Sequence, residues 1–284
     1  MGKINFANAC SYGHDGSRPL CMSDKMSQRL LALKNNISFG KPIDVILNEK
    51  GKTIDELGLL LDKRVIAAVG EKEILQEINQ SFKPVGPVDW SLFNNFVEDN
   101  AMRHLHRWDP TFIGLDVNLM NFEEYGGSLT KLRFSDDGIH YNGQTYKSFG
   151  CVLNTMKMGG DLSAIGHWVA LFGDFRNPHL KTIEYFNSSG RSAPSELWSW
   201  MKRSAESVTN CTPLNVSNIQ HQKSETECGI YSVFYITARV CGICYKKFRE
   251  TNISDERVNK FRKNMFNDQK ALPDLSILEA NRLV

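Results

Sequence analysis

Gln222-Lys223-Ser224-Glu225-Thr226-Glu227-Cys228-Gly229 runs straight into Ile230-Tyr231-Ser232-Val233-Phe234-Tyr235-Ile236. The second part is apolar enough for a buried helix, so Cys228 falls at the mouth of that helix. A thiol there faces unpaired backbone N–H groups and the positive end of the macrodipole, and both favour thiolate. The backbone N–H of the cysteine and a nearby side-chain amide, here Gln222 six residues earlier, are also the donors an acyl-transfer oxyanion needs. This is a nucleophile's setting, and it requires a base.

The base is found on a strand. Gly166-His167-Trp168-Val169-Ala170-Leu171-Phe172 reads as one strand and Thr182-Ile183-Glu184-Tyr185-Phe186 as its return, with Gly173, Asn177 and Pro178 between them. A hairpin centred on Asn177 sets His167 opposite Asn187 at its open end, within reach of an imidazole–amide hydrogen bond. Cys228, His167, an orienting Asn187 and an oxyanion Gln222 form a complete acyl-transfer set. Cys228 would attack, His167 would take and return the proton, and Asn187 would hold the imidazole tautomer. Asn orients imidazolium without neutralising it, which a Cys–His pair tolerates better than a Ser–His pair. Alone, Cys228 on an apolar helix is more often a small buried hydrophobe. Glu225 and Glu227 would oppose thiolate, and are expected to face solvent.

Composition sets milder bounds. The 284 residues are 41% hydrophobic and 23% charged, with a formal charge of +2. That predicts a globular chain with no obligate nucleic-acid partner. The basic stretch 246–270 is more simply a solvated helix face. No apolar run reaches membrane-span length and no signal-peptide core is seen, so no membrane partner and a cytoplasmic location are expected. Phe6 stands where a myristoylation motif wants Ser or Thr. Seven scattered cysteines suit a reducing compartment rather than a disulfide framework. Cys241-x-x-Cys244 lacks a second ligand pair and is expected to pack, and His104 and His106 do not share a helix face, so no metal or cofactor is expected.

Residues 1–84 read as a helical arm and 85–284 as a catalytic core. Helices are expected over Ser23–Leu33, from Thr53 along Ile54, Leu57, Leu60, Leu61, Val65 and Ala68 to a stop at Gly70, and over Glu71–Asn79. Thr53 and Glu56 would form a capping box, and the first twenty residues would be irregular. Lys83-Pro84-Val85-Gly86-Pro87 is the linker candidate. Asp89 would then cap a helix carrying Leu92, Phe93, Phe96, Val97, Ala101 and Leu105. Short strands separated by Asp137-Gly138 and Asn142-Gly143 follow, then a buried strand at Cys151-Val152-Leu153, a helix over Glu196–Ser207 and a strand near Leu214–Ile219. This order argues an α+β fold, a mainly antiparallel sheet packed on helices.

Gly166-His167-Trp168, then Tyr185-Phe186-Asn187-Ser188-Ser189-Gly190, then Gln222 ahead of Cys228-Gly229, resembles the ubiquitin-like-protein (SUMO-specific) protease family of cysteine peptidases, which includes the adenoviral protease. Phe149–Thr155, Ile183–Ser188 and the Cys228 helix are similar to its viral polyprotein-processing branch, and the likeness covers most of the chain beyond about residue 50. Asn187 replaces the Asp usual in the wider family. The resemblance implies an adenain-type core with a mixed, mainly antiparallel sheet, and a helical N-terminal arm. It implies cleavage after Gly-Gly in capsid or core polyproteins, in host cytoplasm and virion, with polyprotein Gly-Gly-X sites as the protein partner. It also implies that Trp168 walls a channel only glycine can thread, glycine having no Cβ; a plain core role for Trp168 is the simpler alternative. Gly126-Gly127-Ser128 and Gly159-Gly160-Asp161 look like such sites, although turn glycines explain them. The alternatives are a deconjugating isopeptidase, an acetyltransferase of the same clan, and an inactive scaffold that binds through the arm.

Overall fold

The computed structural model describes Cys10 and residues 20–34, 53–160 and 166–268. Phe6, most of the first twenty residues and Asp161, named above, lie outside the described residues. The chain forms two compact units, one over Asp89–Arg262 and the other holding the described residues up to Val88 and from Lys263.

In the helical unit, Ser23 caps α1 (Asp24–Leu33), its hydroxyl accepting from Met26 N–H at 3.2 Å. The long helix expected after Thr53 is two: α2 (Thr53–Leu60) and α3 (Lys63–Val69). Asp62 divides them, because its carboxylate accepts from the Arg64 N–H at 2.9 Å and caps a new start. Gly70 ends α3 as expected, with φ +104°, and α4 (Glu71–Ser81) follows. Glu56 accepts the N–H groups of Cys21 and Met22, and the Thr53 side chain of the expected capping box lies outside the described residues. Leu57, Leu60, Val65, Ile74, Ile78 and Phe82 form the core with Met26 and Leu30. Cys10 and Cys21 are disulfide-bonded, against the expectation of free thiols throughout. The proposed linker contributes a strand, β1 (Val85–Gly86), paired in parallel with Asn267–Asp268.

The larger unit opens with α5 (Asn95–Trp108). Asn94 caps it, accepting from Val97 N–H at 3.1 Å, whereas the expected cap Asp89 accepts from Ser91 N–H. Next come β2 (Phe112–Gly114), β3 (Asn118–Leu119) and the short α6 (Phe122–Tyr125). A separate antiparallel meander is built from β4 (Arg133–Ser135), β5 (Gly138–Tyr141) and β6 (Gln144–Tyr146). Its first turn is Asp136-Asp137, one residue before the expected Asp-Gly. Its second is Asn142-Gly143, both at positive φ as a primed two-residue turn demands.

The main sheet adds β7 (Ser148–Asn154), β8 (Trp168–Asp174), β9 (Lys181–Phe186) and, after α7 (Ser195–Glu206), β10 (Cys211–Asn215). Its order is β10-β9-β8-β7-β2, with β3 also on β7. The central pairs β7–β8 and β8–β9 are antiparallel, and the outer strands join in parallel. The fold is α+β with a mixed sheet flanked by helices. Every residue of β7 and β9 is buried because both faces are covered. Val169, Leu171, Ile183 and Tyr185 face a core shared with Leu197, Trp200 and Met201 of α7.

Helix α8 (Cys228–Val240) packs along β8, with Tyr235 stacked on Phe186 at 4.4 Å between ring centres. Its polar anchor is Arg239, whose Nε and Nη2 donate to the fully buried Glu184 of β9 at 2.8 and 2.9 Å. Tyr235 OH and Thr182 Oγ1 also donate to that carboxylate, both at 2.6 Å, and Arg239 reaches Asp174 at 2.8 Å. Burial raises the Asp174 pKa, but Arg176 and Arg239 outweigh it and hold the carboxyl below its usual range. The helices α9 (Lys246–Glu250) and α10 (Asp255–Met265) complete the described chain. Cys241 and Cys244 are exposed free thiols at the end of α8, not packed as expected. Arg239→Ala leaves Glu184 buried without its counter-charge, a loss of about 3–5 kcal/mol. Urea unfolding will read this as a lowered midpoint; an unchanged midpoint would remove the pair from the account of stability.

Candidate active site

The β8–β9 ladder pairs Ala170 with Phe186 and Leu171 with Tyr185, so the hairpin is centred on Pro178 rather than Asn177. By that register His167 and Asn187 are diagonal neighbours, not directly opposite. The shift is even, so both side chains stay on the face the alternation gave them. They meet: His167 Nε2 and Asn187 Oδ1 are 2.7 Å apart.

The surroundings of Asn187 settle which atom carries the proton. Ser189 N–H, which can only donate, reaches Oδ1 at 2.9 Å, and Asn187 Nδ2 donates to Tyr185 OH at 3.0 Å. Oδ1 is therefore the atom turned to the ring, and His167 donates through Nε2–H. Nδ1 is left as the basic atom. Tyr185 lies two residues before Asn187 on the same strand face, so strand periodicity alone could have flagged it. Burial lowers the His167 pKa, the Asn187 bond raises it by less, and the charge of Arg191 lowers it further.

Cys228 is the first residue of α8, and the backbone N–H of Trp168, the residue after His167, lies near enough to its thiol to favour the thiolate. Burial is the largest influence on this thiol and raises its pKa. The Trp168 N–H opposes that, Glu98 reinforces it, and the N–H groups of Gly229 and Cys228 oppose it more weakly. The resting thiol is thus not favoured as thiolate: desolvation exceeds what the helix terminus offers. Gly229 has no room for a side chain, since a Cβ there would lie 2.5 Å from Glu98 Oε1 and 2.9 Å from Phe93 Cβ. Glu227 is fully buried, against the solvent-facing expectation, with Oε2 accepting from Thr226 Oγ1 at 2.8 Å. Glu225 is exposed.

Gln222 sits on the Asn187 segment rather than loose in a loop. Its N–H donates to the Ser188 carbonyl at 3.0 Å, Ser188 Oγ donates to its Oε1 at 2.7 Å, and its Nε2 donates to the Ser224 carbonyl at 2.7 Å. One Nε2 hydrogen is spent on Ser224 and the other is left over. Ser188, buried and next to Asn187, thereby links the Gln222 amide to the His167 partner. Trp168 is half-buried. His104 is buried within α5 and His106 bonds the Phe112 carbonyl, and no group of metal-ligating side chains occurs among the described residues.

A thiol, an imidazole and an amide are the groups a thiol hydrolase uses. The family described as Ulp1 protease family, C-terminal catalytic domain, matches residues 163–277. The SUMO-1 cysteine protease of African swine fever virus, from a Kenyan pig isolate, is 35% identical over 211 residues, which span 68% of this chain and 75% of the relative. The cysteine protease of a Malawian tick isolate matches to the same extent. A crystal structure of the African swine fever virus protease is similar with a TM-score of 0.70 at 28% identity, covering 94% of this chain and 97% of that one. The chain belongs to the Ulp1 protease family and is a cysteine protease. Its curated relatives are viral, and enzymes of this family act on protein substrates.

Nitrogen-15 NMR of His167 will give the Nε2–H tautomer and a titration midpoint below the ordinary histidine value. Asn187→Asp places a negative charge on the ring and will raise that midpoint. A midpoint at or above the ordinary value in the unaltered chain would contradict the burial account.

Proposed function

We propose that the chain is an endopeptidase cleaving after Gly-Gly in viral polyproteins during capsid or core maturation, with Cys228 as nucleophile, His167 as base, Asn187 as orienter and Gln222 as oxyanion donor. One observation carries this reading. A His167–Asn187 bond of 2.7 Å leaves Nδ1 free, and the Cys228 thiol lies near enough to the N–H of the next residue along, Trp168, to be influenced by it. The likeness to viral cysteine proteases supports it.

In this mechanism His167 Nδ1 takes the thiol proton as Cys228 Sγ attacks the glycyl carbonyl carbon. Because the resting thiol and imidazole are both held neutral by burial, the proton moves only when substrate arrives. The negative oxygen is met by the Cys228 N–H and the spare N–H of Gln222. Collapse breaks the peptide C–N bond, and the imidazolium gives its proton to the leaving amine. Water, deprotonated by the same Nδ1, then cleaves the thioester. The half-buried Trp168 would line the path of the glycines. Residues 1–84 would form an arm that engages the polyprotein, with 85–284 as the catalytic core, acting in host cytoplasm and virion.

A deconjugating isopeptidase uses the same chemistry, and the SUMO-1 protease name of the relatives favours keeping it as the second reading. Hydrolysis rates on ubiquitin-like fluorogenic conjugates, set against short Gly-Gly-X peptides, separate the two. Mass spectrometry of a candidate polyprotein will show new Gly-Gly termini with the wild-type chain and none with Cys228→Ala; equal products from both would end the assignment. Gln222→Ala is expected to lower kcat about 10²-fold with KM little changed, as loss of one oxyanion donor does. Wild-type kcat in that variant would place the donor elsewhere.

A further inference from the structure

Behind Cys228 the fold buries three charge-bearing side chains with an uneven balance. Glu98 on α5, Glu227 at the start of α8 and Arg262 on α10 are all fully shielded from water. Arg262 donates to the carbonyls of Asp89 and Ser91, the latter at 2.7 Å, and its guanidinium lies 4.7 Å over the Phe93 ring. Its Nη2 is 3.8 Å from Glu227 Oε1. One guanidinium and one carboxylate therefore neutralise each other. Glu98 has no such partner: no hydrogen bond reaches either of its oxygens. Its Oε1 is nevertheless packed at the beginning of α8, where it and Phe93 fill the space a side chain on Gly229 would need. An isolated carboxylate in such a place costs several kcal/mol and takes up a proton instead.

We propose that Glu98 is a positioning residue for the cysteine protease reaction: as a neutral carboxylic acid wedged against Gly229, it holds the start of α8 in place without setting a negative charge behind the Cys228 thiol. The proposal rests on Cys228 being the nucleophile. The groups that act on Glu98 agree with it. Burial drives its pKa well up, the neighbouring Asp99 pushes the same way, and Arg262 opposes them without prevailing. Burial lowers the Arg262 pKa, and Glu227, then Asp89, then Glu98 oppose it. Negative charge on Glu98 raises the Cys228 pKa, so the proton on Glu98 favours the thiolate the reaction needs. Glu227 acquires a purpose in the same scheme, because it occupies the guanidinium that would otherwise draw the proton off Glu98.

Infrared difference spectra between the wild-type chain and Glu98→Gln at neutral pH, with folding checked by circular dichroism, will show one protonated-carboxyl band lost. Loss of a carboxylate band instead would overturn the proposal. Glu227→Gln keeps Glu98 and provides a second measurement. Its freed Arg262 should convert that band to carboxylate and slow iodoacetamide alkylation of Cys228 on the order of tenfold, the effect of one unit of thiol pKa. Adding Glu98→Gln to it should restore the rate. An unslowed rate in Glu227→Gln, or a slowed rate the double variant does not restore, would also overturn it. Alkylation reports the thiol whether or not Cys228 cleaves peptides, so failure here is distinct from failure of the Cys228→Ala experiment.

Discussion

Glu184 and Arg239 meet in the interior between β9 and α8, and the placement of the thiol depends on that meeting. The carboxylate accepts from Arg239, Tyr235 and Thr182, so its burial is fully compensated, while Arg239 continues to Asp174 on β8. Arg176 closes the arrangement from the other side by donating to the carbonyls of Arg239 and Val240 at the helix end. A helix pinned in this way at its C-terminal half cannot slide along the sheet. Its first residue, Cys228, is then held at one height against the β8 entrance, where Trp168 and His167 lie. Apolar packing sets how close α8 lies to the strands, and this ion pair sets its register along them.

At the other end of α8, polar groups are arranged to keep charge low. The thiol is buried, the imidazole is half-buried, and the orienting side chain is an amide. Each of these choices avoids an uncompensated charge in a water-poor place. An aspartate at position 187 would be a stronger partner for imidazolium, but it would add a negative charge to a buried position that the amide fills as a neutral group. The neutral triad proposed here is thus of a piece with its surroundings.

Most of the fold was legible because its signals are local. The apolar run after Cys228, the Asn142-Gly143 turn, the Gly70 stop and the Ser195–Glu206 helix all rest on patterns within a few residues. The misses came where a short side chain competed with its neighbours or a partner lay far along the chain. Asp62 cut one predicted helix into two, and Asn94 displaced Asp89 as a cap, because either residue type can serve and only packing selects. The hairpin centre was misplaced by one residue, which moves each partner by two. That error is silent to any reading based on alternation, so His167 and Asn187 remained paired. The burial of Glu227 beside Arg262 and the Glu98–Arg262 surroundings were beyond reach, since they join residues on different elements far apart along the chain. The Cys10–Cys21 bond was hidden for another reason: an odd number of scattered cysteines names no pair.

The Asn187 amide is engaged at both ends, with its oxygen shared by His167 and Ser189 and one hydrogen of its nitrogen given to Tyr185. The imidazole therefore has one sealed edge and one working edge. Any proton the ring gains must enter and leave at Nδ1, so the ring serves as a reservoir with a single door. In the proposed mechanism acid and base steps are not divided between its two nitrogens, and successive half-reactions take turns at one atom. The order of events is thereby written into a side-chain amide that never touches the reacting bond.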